Sequence, residues 1–182
     1  KAGPYDDSVI VIYGDHNGIS ENHNRAMKEV LGKEITPYQN AMNQRVPLMI
    51  RVPGKKGGVN HTFGGETDVM PTLLHLQGID NKNYINFGTD LFSKDHDQTV
   101  AFRNGNYVTP KYTVIDSTVY DTKTGKELKP NKETENLKKQ VSEQLNLSDQ
   151  VLYKDLLRFH KLSDFRPVDP SKYHYGKEKA NE

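Results

Sequence analysis

The stretch Ser8-Val9-Ile10-Val11-Ile12-Tyr13 is a nearly unbroken apolar, β-branched run, and it stops at the turn-forming cluster Gly14-Asp15-His16-Asn17-Gly18. Such a run suits a strand buried on both faces of a parallel sheet, since neither side alternates to polar. Asn22 to Leu31 then reads as a helix ending at Gly32. A second apolar run, Arg45 to Val52, carries Pro47 near its start, where a first strand residue or an edge tolerates it. A loop rich in Gly and Lys follows from Gly54 to Gly65. Thr67 or Asp68 can cap a helix reaching about Gln77, with Pro71 in its first turn and Gly78 past its end. Strand, helix, strand, helix predicts an α/β layer with parallel strands.

The pattern then changes. Thr99 to Lys129 holds short alternating runs, with Asn104-Gly105 and Thr124-Gly125 as turns, and predicts a small antiparallel sheet. Glu133 to about Leu145 and Gln150 to Phe159 are two amphipathic helix candidates, with Leu137, Val141 and Leu145, then Leu152, Leu156 and Phe159, at apolar spacing. From Ser163 onward the chain is polar, with Pro167 and Pro170. The expected division is therefore 1–95 for the α/β part, 96–162 for the small sheet with helices, and 163–182 for a polar tail. The strands of the first part are too few for a complete sheet, so their partners are expected upstream.

Composition narrows the function classes. The 182 residues are 34% hydrophobic and 27% charged, with a formal net charge of +1. That balance supplies no broad basic surface for nucleic acid. No stretch approaches the ~20 apolar residues of a membrane helix, while contact with a membrane surface stays open. Without cysteine there is no disulfide, zinc–thiolate site or Cys nucleophile. The chain starts at Lys1 with no signal peptide in view, and the simplest reading is a piece of a longer protein.

Asp15 and His16 are the residues most suited to chemistry. In open α/β sheets, ligands bind beyond the carboxyl ends of strands. Asp offers a hard oxygen and His a neutral imidazole nitrogen, a pair suited to Mn²⁺, Zn²⁺ or Mg²⁺. Neighbouring ligands can converge here because the chain has left the strand; within it they would point to opposite faces. Gly14 and Gly18 allow a sharp turn and a close approach of substrate. The plainer alternative has Asp15 capping the turn and His16 packing at a sheet edge.

The order strand, Gly-Asp-His-Asn-Gly, helix resembles the metal-binding segment of the alkaline phosphatase and sulfatase superfamily. A second stretch, Asn60 to Ile79, resembles the superfamily's Asp-x-x-Pro-Thr-Leu-Leu helix, here Asp68-Val69-Met70-Pro71-Thr72-Leu73-Leu74. Its His61-Thr62-Phe63-Gly64-Gly65 lead-in, together with Tyr13-Gly14-Asp15-His16, is similar to lipoteichoic acid synthases in particular. The resemblance covers roughly the whole chain and is most specific between Val9 and Ile79. It implies the C-terminal part of an extracellular catalytic domain with a sulfatase-like α/β sandwich, followed by a small antiparallel sheet and a C-terminal helix.

The resemblance further implies that Asp15 and His16 are two ligands of a Mn²⁺ ion, with Mg²⁺ as the alternative. A Glu, the nucleophilic Thr and the His and Arg that bind glycerol phosphate would lie upstream, so no catalytic nucleophile is expected here. The implied reaction moves glycerol phosphate from phosphatidylglycerol to a growing poly(glycerol phosphate) chain through a glycerophosphoryl-threonine intermediate. The implied partners are the upstream portion, joined or as a cleaved chain, the two substrates and the membrane surface, without nucleic acid. The implied location is the extracellular face of the membrane, or outside the cell after cleavage. The alternatives are a sulfatase, phosphodiesterase or phosphoethanolamine transferase of the superfamily, or a noncatalytic polymer-binding module.

Other residues carry two readings each. The Ser20 hydroxyl could bond a substrate phosphate or glycerol oxygen, or cap the helix starting near Glu21. Asn17 could orient a ligand or only make the turn. His61 could face the site or lie on a surface loop. Lys55 and Lys56 could attract an anionic head group or be a solvated pair. His75, among Leu73, Leu74 and Leu76, is expected to pack.

Overall fold

A computed structural model describes residues 3, 5–16, 18–82, 84–160 and 171. They fall into two compact units that interleave along the chain rather than following the serial division into 1–95 and 96–162. One comprises Lys1–His61 and Lys111–Pro130; the other comprises Thr62–Pro110 and Asn131–Glu182. The expected polar tail, Ser171 apart, lies outside the described residues.

In the first unit, β1 (Ile10–Tyr13) pairs with β2 (Leu48–Arg51) in a two-stranded ribbon. The pairing is antiparallel, with Ile10 opposite Arg51 and Tyr13 opposite Leu48, which corrects the expected parallel arrangement. The expectation of burial on both faces also fails: β1 grades from half-buried at Ile10 and Val11 to exposed at Ile12 and Tyr13. Four-residue apolar strands look alike in sequence whichever way they pair, and only the path between them sets direction. That path holds α1 (Asn24–Leu31), entered through a 3-10 turn over Glu21–His23, and α2 (Pro37–Met42). Gly32 closes α1 in the left-handed region at φ 64°. Thr36 caps α2 by accepting the Gln39 N–H at 3.1 Å, and Pro37 fills the first helical position.

The same unit contains a meander of β5 (Tyr112–Ile115), β6 (Thr118–Asp121) and β7 (Glu127–Leu128), each paired antiparallel with the next. Asp116 and Ser117, both at positive φ, make its tight first turn. Tyr38 on α2 lies across this meander: its hydroxyl donates to the Thr122 carbonyl at 2.7 Å, and its ring sits 5.8 Å from that of Tyr120.

In the second unit, a 3-10 turn over Glu66–Asp68 leads into α3 (Val69–Leu76), and β3 (Val100–Ala101) pairs antiparallel with β4 (Tyr107–Val108). The short strands expected between Thr99 and Lys129 are therefore present. The Asp68 carboxylate accepts the Gly65 N–H at 2.8 Å and the Thr89 N–H at 2.7 Å, so the start of α3 is stapled to the segment that follows it. Gly78, at φ 77°, ends that helical stretch as expected.

α4 is one helix of 22 residues, Lys132–Tyr153, where two were expected, and a 3-10 turn over Leu156–Phe159 follows. The segment Asn146-Leu147-Ser148-Asp149 weakens the apolar pattern but contains neither Gly nor Pro, so nothing interrupts the backbone ladder. Asn131 caps the start, accepting from Glu133 at 2.9 Å and Thr134 at 3.1 Å. Thr134 and Val141, seven residues apart, lie on the buried face, and Tyr107 donates to the Thr134 carbonyl at 2.7 Å.

Candidate metal centre

β1 ends at Tyr13, and the next residues turn out of the ribbon. The Gly14 N–H donates to the Pro47 carbonyl at 3.1 Å, one step past the last strand pair. Asp15 and His16 follow, both exposed. An Asp oxygen and a His nitrogen are donor types that suit Mn²⁺, Zn²⁺ or Mg²⁺. Among the described residues no cluster of three or more His, Cys, Asp or Glu could hold a metal. Asp15 and His16 would therefore make at most half a site, and an ion held there would need further donors from elsewhere.

The two glycines of the loop act through space rather than through unusual φ, for neither lies at positive φ. A Cβ on Gly14 would stand 2.6 Å from Val46 Cβ, and one on Gly18 would stand 2.1 Å from the Asn43 carbonyl oxygen. The loop thus lies flat against residues 43–47. From that segment, the Gln44 side-chain amide donates to the Ile19 carbonyl at 2.9 Å.

Ser20 takes the capping arrangement: its hydroxyl oxygen accepts the Asn22 N–H at 3.4 Å, at the entry to the turn before α1. This long bond leaves the hydroxyl hydrogen for another acceptor. Asn17 lies outside the described residues. Lys55, Lys56 and His61 are exposed. The loop carrying them leaves β2 at the end opposite Ile10, whereas Asp15 leaves β1 at the end opposite Leu48. At ~3.4 Å per residue, a four-residue ribbon separates those two ends by about 10–14 Å. Among the described residues His61 forms no metal-holding cluster with Asp15 and His16.

His75 is buried, as expected of a packing residue, and its partner was not legible. His75 Nδ1 meets the carboxylate of Asp90, also buried, and the ring stands edge-on to Phe92 at 6.1 Å. Asp90 also accepts the Phe92 N–H at 2.9 Å. Burial pushes its carboxyl above the usual carboxylate range, against the Phe92 N–H and His75, which pull it down.

The sequence reading also passed over Asn40, Asn43 and Gln44. The signal was present in Thr36-Pro37, a helix cap followed by a first-turn proline, with amide side chains four apart behind it.

Comparison with known proteins agrees with the sequence resemblance. The sulfatase family profile matches residues 1–79. The chain is 80% identical over 179 residues to lipoteichoic acid synthase 1 of Bacillus subtilis (strain 168), covering 98% of this chain and 28% of that protein. It is 52% identical over 176 residues to the lipoteichoic acid synthase of Staphylococcus aureus (strain USA300), covering 96% of this chain and 27% of that protein. The chain thus spans under a third of the length of these relatives. In fold it is similar to the crystal structure of the lipoteichoic acid synthase LtaP from Listeria monocytogenes, with TM-score 0.61 and 23% identity over 88% of this chain and 41% of that one.

Proposed function

We propose that this chain, which aligns along nearly its whole length with lipoteichoic acid synthases, is one of them and is part of a phosphoglycerol transferase. The enzyme moves glycerol phosphate from phosphatidylglycerol to a growing poly(glycerol phosphate) chain. The observation that carries this reading is the 80% identity to a lipoteichoic acid synthase over 98% of the chain, a stretch that includes an exposed Asp-His pair at a strand end. Transfer runs through a glycerophosphoryl-threonine intermediate on a Thr outside this chain.

Asp15 and His16 would hold Mn²⁺, or Mg²⁺ in its place. When bound, such an ion supplies Lewis-acid stabilisation of phosphoryl oxygens and lowers the pKa of a coordinated hydroxyl. The chain's own task is to present a carboxylate and an imidazole in a fixed relation at the ribbon end. The hydroxyl hydrogen of Ser20 would bind a phosphate or glycerol oxygen. Among the described residues no helix is long and apolar enough to cross a membrane. The proposed setting, at the outer membrane surface with phosphatidylglycerol as donor, therefore needs only surface contact from this part.

The test uses the full-length protein carrying this chain, with phosphatidylglycerol vesicles and Mn²⁺, and follows release of diacylglycerol and growth of polymer. Asp15→Ala and His16→Ala are expected to abolish both. Diacylglycerol release unchanged in both variants would sink the assignment. The sulfatase match over residues 1–79 supports a second reading, another esterase or transferase of that superfamily. A parent that binds metal and cleaves a sulfate or phosphate diester, without extending polymer, would select it. A parent that binds polymer without metal or turnover would select a noncatalytic module.

A further inference from the structure

Asp15 and His16 are exposed where the chain leaves β1. A pair of metal donors nevertheless has to be held within about 0.5 Å of its working geometry. The backbone of the loop that carries them is braced by residues from Asn43 to Pro47.

Gln44 occupies the centre of this contact. Its Nε2 lies 2.9 Å from the Ile19 carbonyl and 3.0 Å from the Asn40 carbonyl. A primary amide has two N–H donors, so one group serves both acceptors, one on the loop and one on α2. Asn40, buried on α2, donates through Nδ2 to Asn24 Oδ1 at 3.0 Å and so ties α2 to the start of α1, the helix that the loop feeds. At the other end of the loop, Gly14 bonds to Pro47. Gly18 lies so close to the Asn43 carbonyl that no side chain fits between them. Asn43 is in turn braced by Gln39 Nε2, which donates to its Oδ1 at 3.0 Å.

We propose that Gln44 is a positioning residue for the metal half-site: by holding the Ile19 carbonyl against α2, it sets the loop geometry in which Asp15 and His16 converge on one ion. The inference rests on the metal reading of that pair. Gln44 touches neither the ion nor the substrate and acts only through the loop. Its loss therefore loosens the donors without removing one. A loosened site binds the ion more weakly, yet reaches the same working state once the ion is supplied in excess. A merely structural glutamine would show a lower melting temperature and an unchanged affinity in the folded protein.

The experiment compares full-length parent, Gln44→Met, Gln44→Glu and Asp15→Ala. Mn²⁺ affinity is measured without substrate by titration of free Mn²⁺, beside melting temperature and the Mn²⁺ dependence of transfer. Gln44→Met keeps the length and the carbon contacts and loses both donors. It is expected to weaken Mn²⁺ binding by roughly 10-fold, the lower end for loss of a group supporting a metal ligand. Transfer should recover when Mn²⁺ is raised by the same factor. Gln44→Glu sets carboxylate oxygens against two carbonyl oxygens and is expected to weaken binding further; it carries the comparison should Gln44→Met lose its cooperative transition. Parent-like Mn²⁺ affinity in the folded Gln44 variants, with Asp15→Ala unable to bind, would overturn the positioning role alone. Parent-like Mn²⁺ binding by Asp15→Ala would overturn the metal reading, and the positioning role with it.

Discussion

Two pairings of aspartate with histidine among the described residues, Asp15 with His16 and His75 with Asp90, have opposite surroundings. Asp15 and His16 are neighbours in sequence and stand exposed beyond a strand end. His75 and Asp90 are fifteen residues apart in sequence, meet in the interior, and have side chains 4% and 6% exposed. A buried charge or unpaired polar group is costly, so the interior pair exists to satisfy its own members. The exposed pair carries no such desolvation cost. The same two side-chain types thus serve packing in one place and, on the proposed reading, ligation in the other. Solvent access and a buried partner decide which.

The largest expected effect breaks the comparison at its exposed end. Asp15→Ala and His16→Ala in the full-length protein should each lower transfer by more than ~100-fold, beyond the 10–100-fold typical of losing a group that only supports a ligand. The melting temperature should stay within ~2 °C of the parent, since neither change opens a core cavity. Parallel loss of melting temperature and activity would make the exposed pair structural and erase the distinction.

The buried pair should behave in reverse. His75→Ala leaves a buried carboxyl without its partner and is expected to cost about 3–5 kcal/mol in denaturant unfolding. Activity per folded molecule should remain near that of the parent. Joint replacement, His75→Leu with Asp90→Leu, should recover much of the stability, because apolar side chains of similar volume carry no desolvation cost. A double variant as unstable as His75→Ala would show that the pair contributes more than mutual satisfaction.

The pH response sharpens the point. Burial raises the Asp90 carboxyl above its usual value. A group whose pKa rises on folding stabilises the fold fully below its unfolded pKa, and that contribution is lost as pH climbs through the folded value. Asp90→Asn keeps an acceptor and removes the titration. Measured from about pH 4 upward, the stability of Asp90→Asn relative to parent should therefore rise, by up to ~1.4 kcal/mol per unit over which the parent's group is shifted. A relative stability that stays flat or falls over that range would count against a carboxyl raised by burial.

The smallest effect concerns Ser20, whose hydroxyl caps the turn before α1 by a bond of 3.4 Å. Ser20→Ala should cost about 0.5–1 kcal/mol, the lower range for a lost cap. If its spare hydrogen also binds substrate, KM rises several-fold with kcat kept. Unchanged KM would leave Ser20 a cap alone.

Much of this was legible before any coordinates. The β-branched run, its glycine stop, the helix to Gly32 and the Asp68-to-Gly78 helix all stand where local chemistry places them, because caps and breakers act over three or four residues. The packing role of His75 was legible from its leucine neighbours, but Asp90 was not, for a contact across fifteen residues leaves no periodic trace. The direction of β2 was misread for the same reason, since it depends on what the segment meets in space. The continuity of α4 through residues 146–149 was misread because a lapse in apolar spacing was taken for a break where no Gly or Pro interrupts the helix.

What the sequence determined by itself was the local grammar: where strands and helices begin and stop, and that an Asp-His dipeptide leaves an apolar strand on a glycine turn. Short-range sterics and backbone hydrogen bonding write these features into neighbouring residues. What only the tertiary structure decided was which groups meet. It paired β1 with β2 antiparallel, buried His75 against Asp90, left Asp15 and His16 exposed, and brought the Gln44 amide to the Ile19 carbonyl. Those outcomes depend on the desolvation and geometry of residues far apart in the chain, and neither is encoded in any one stretch of it.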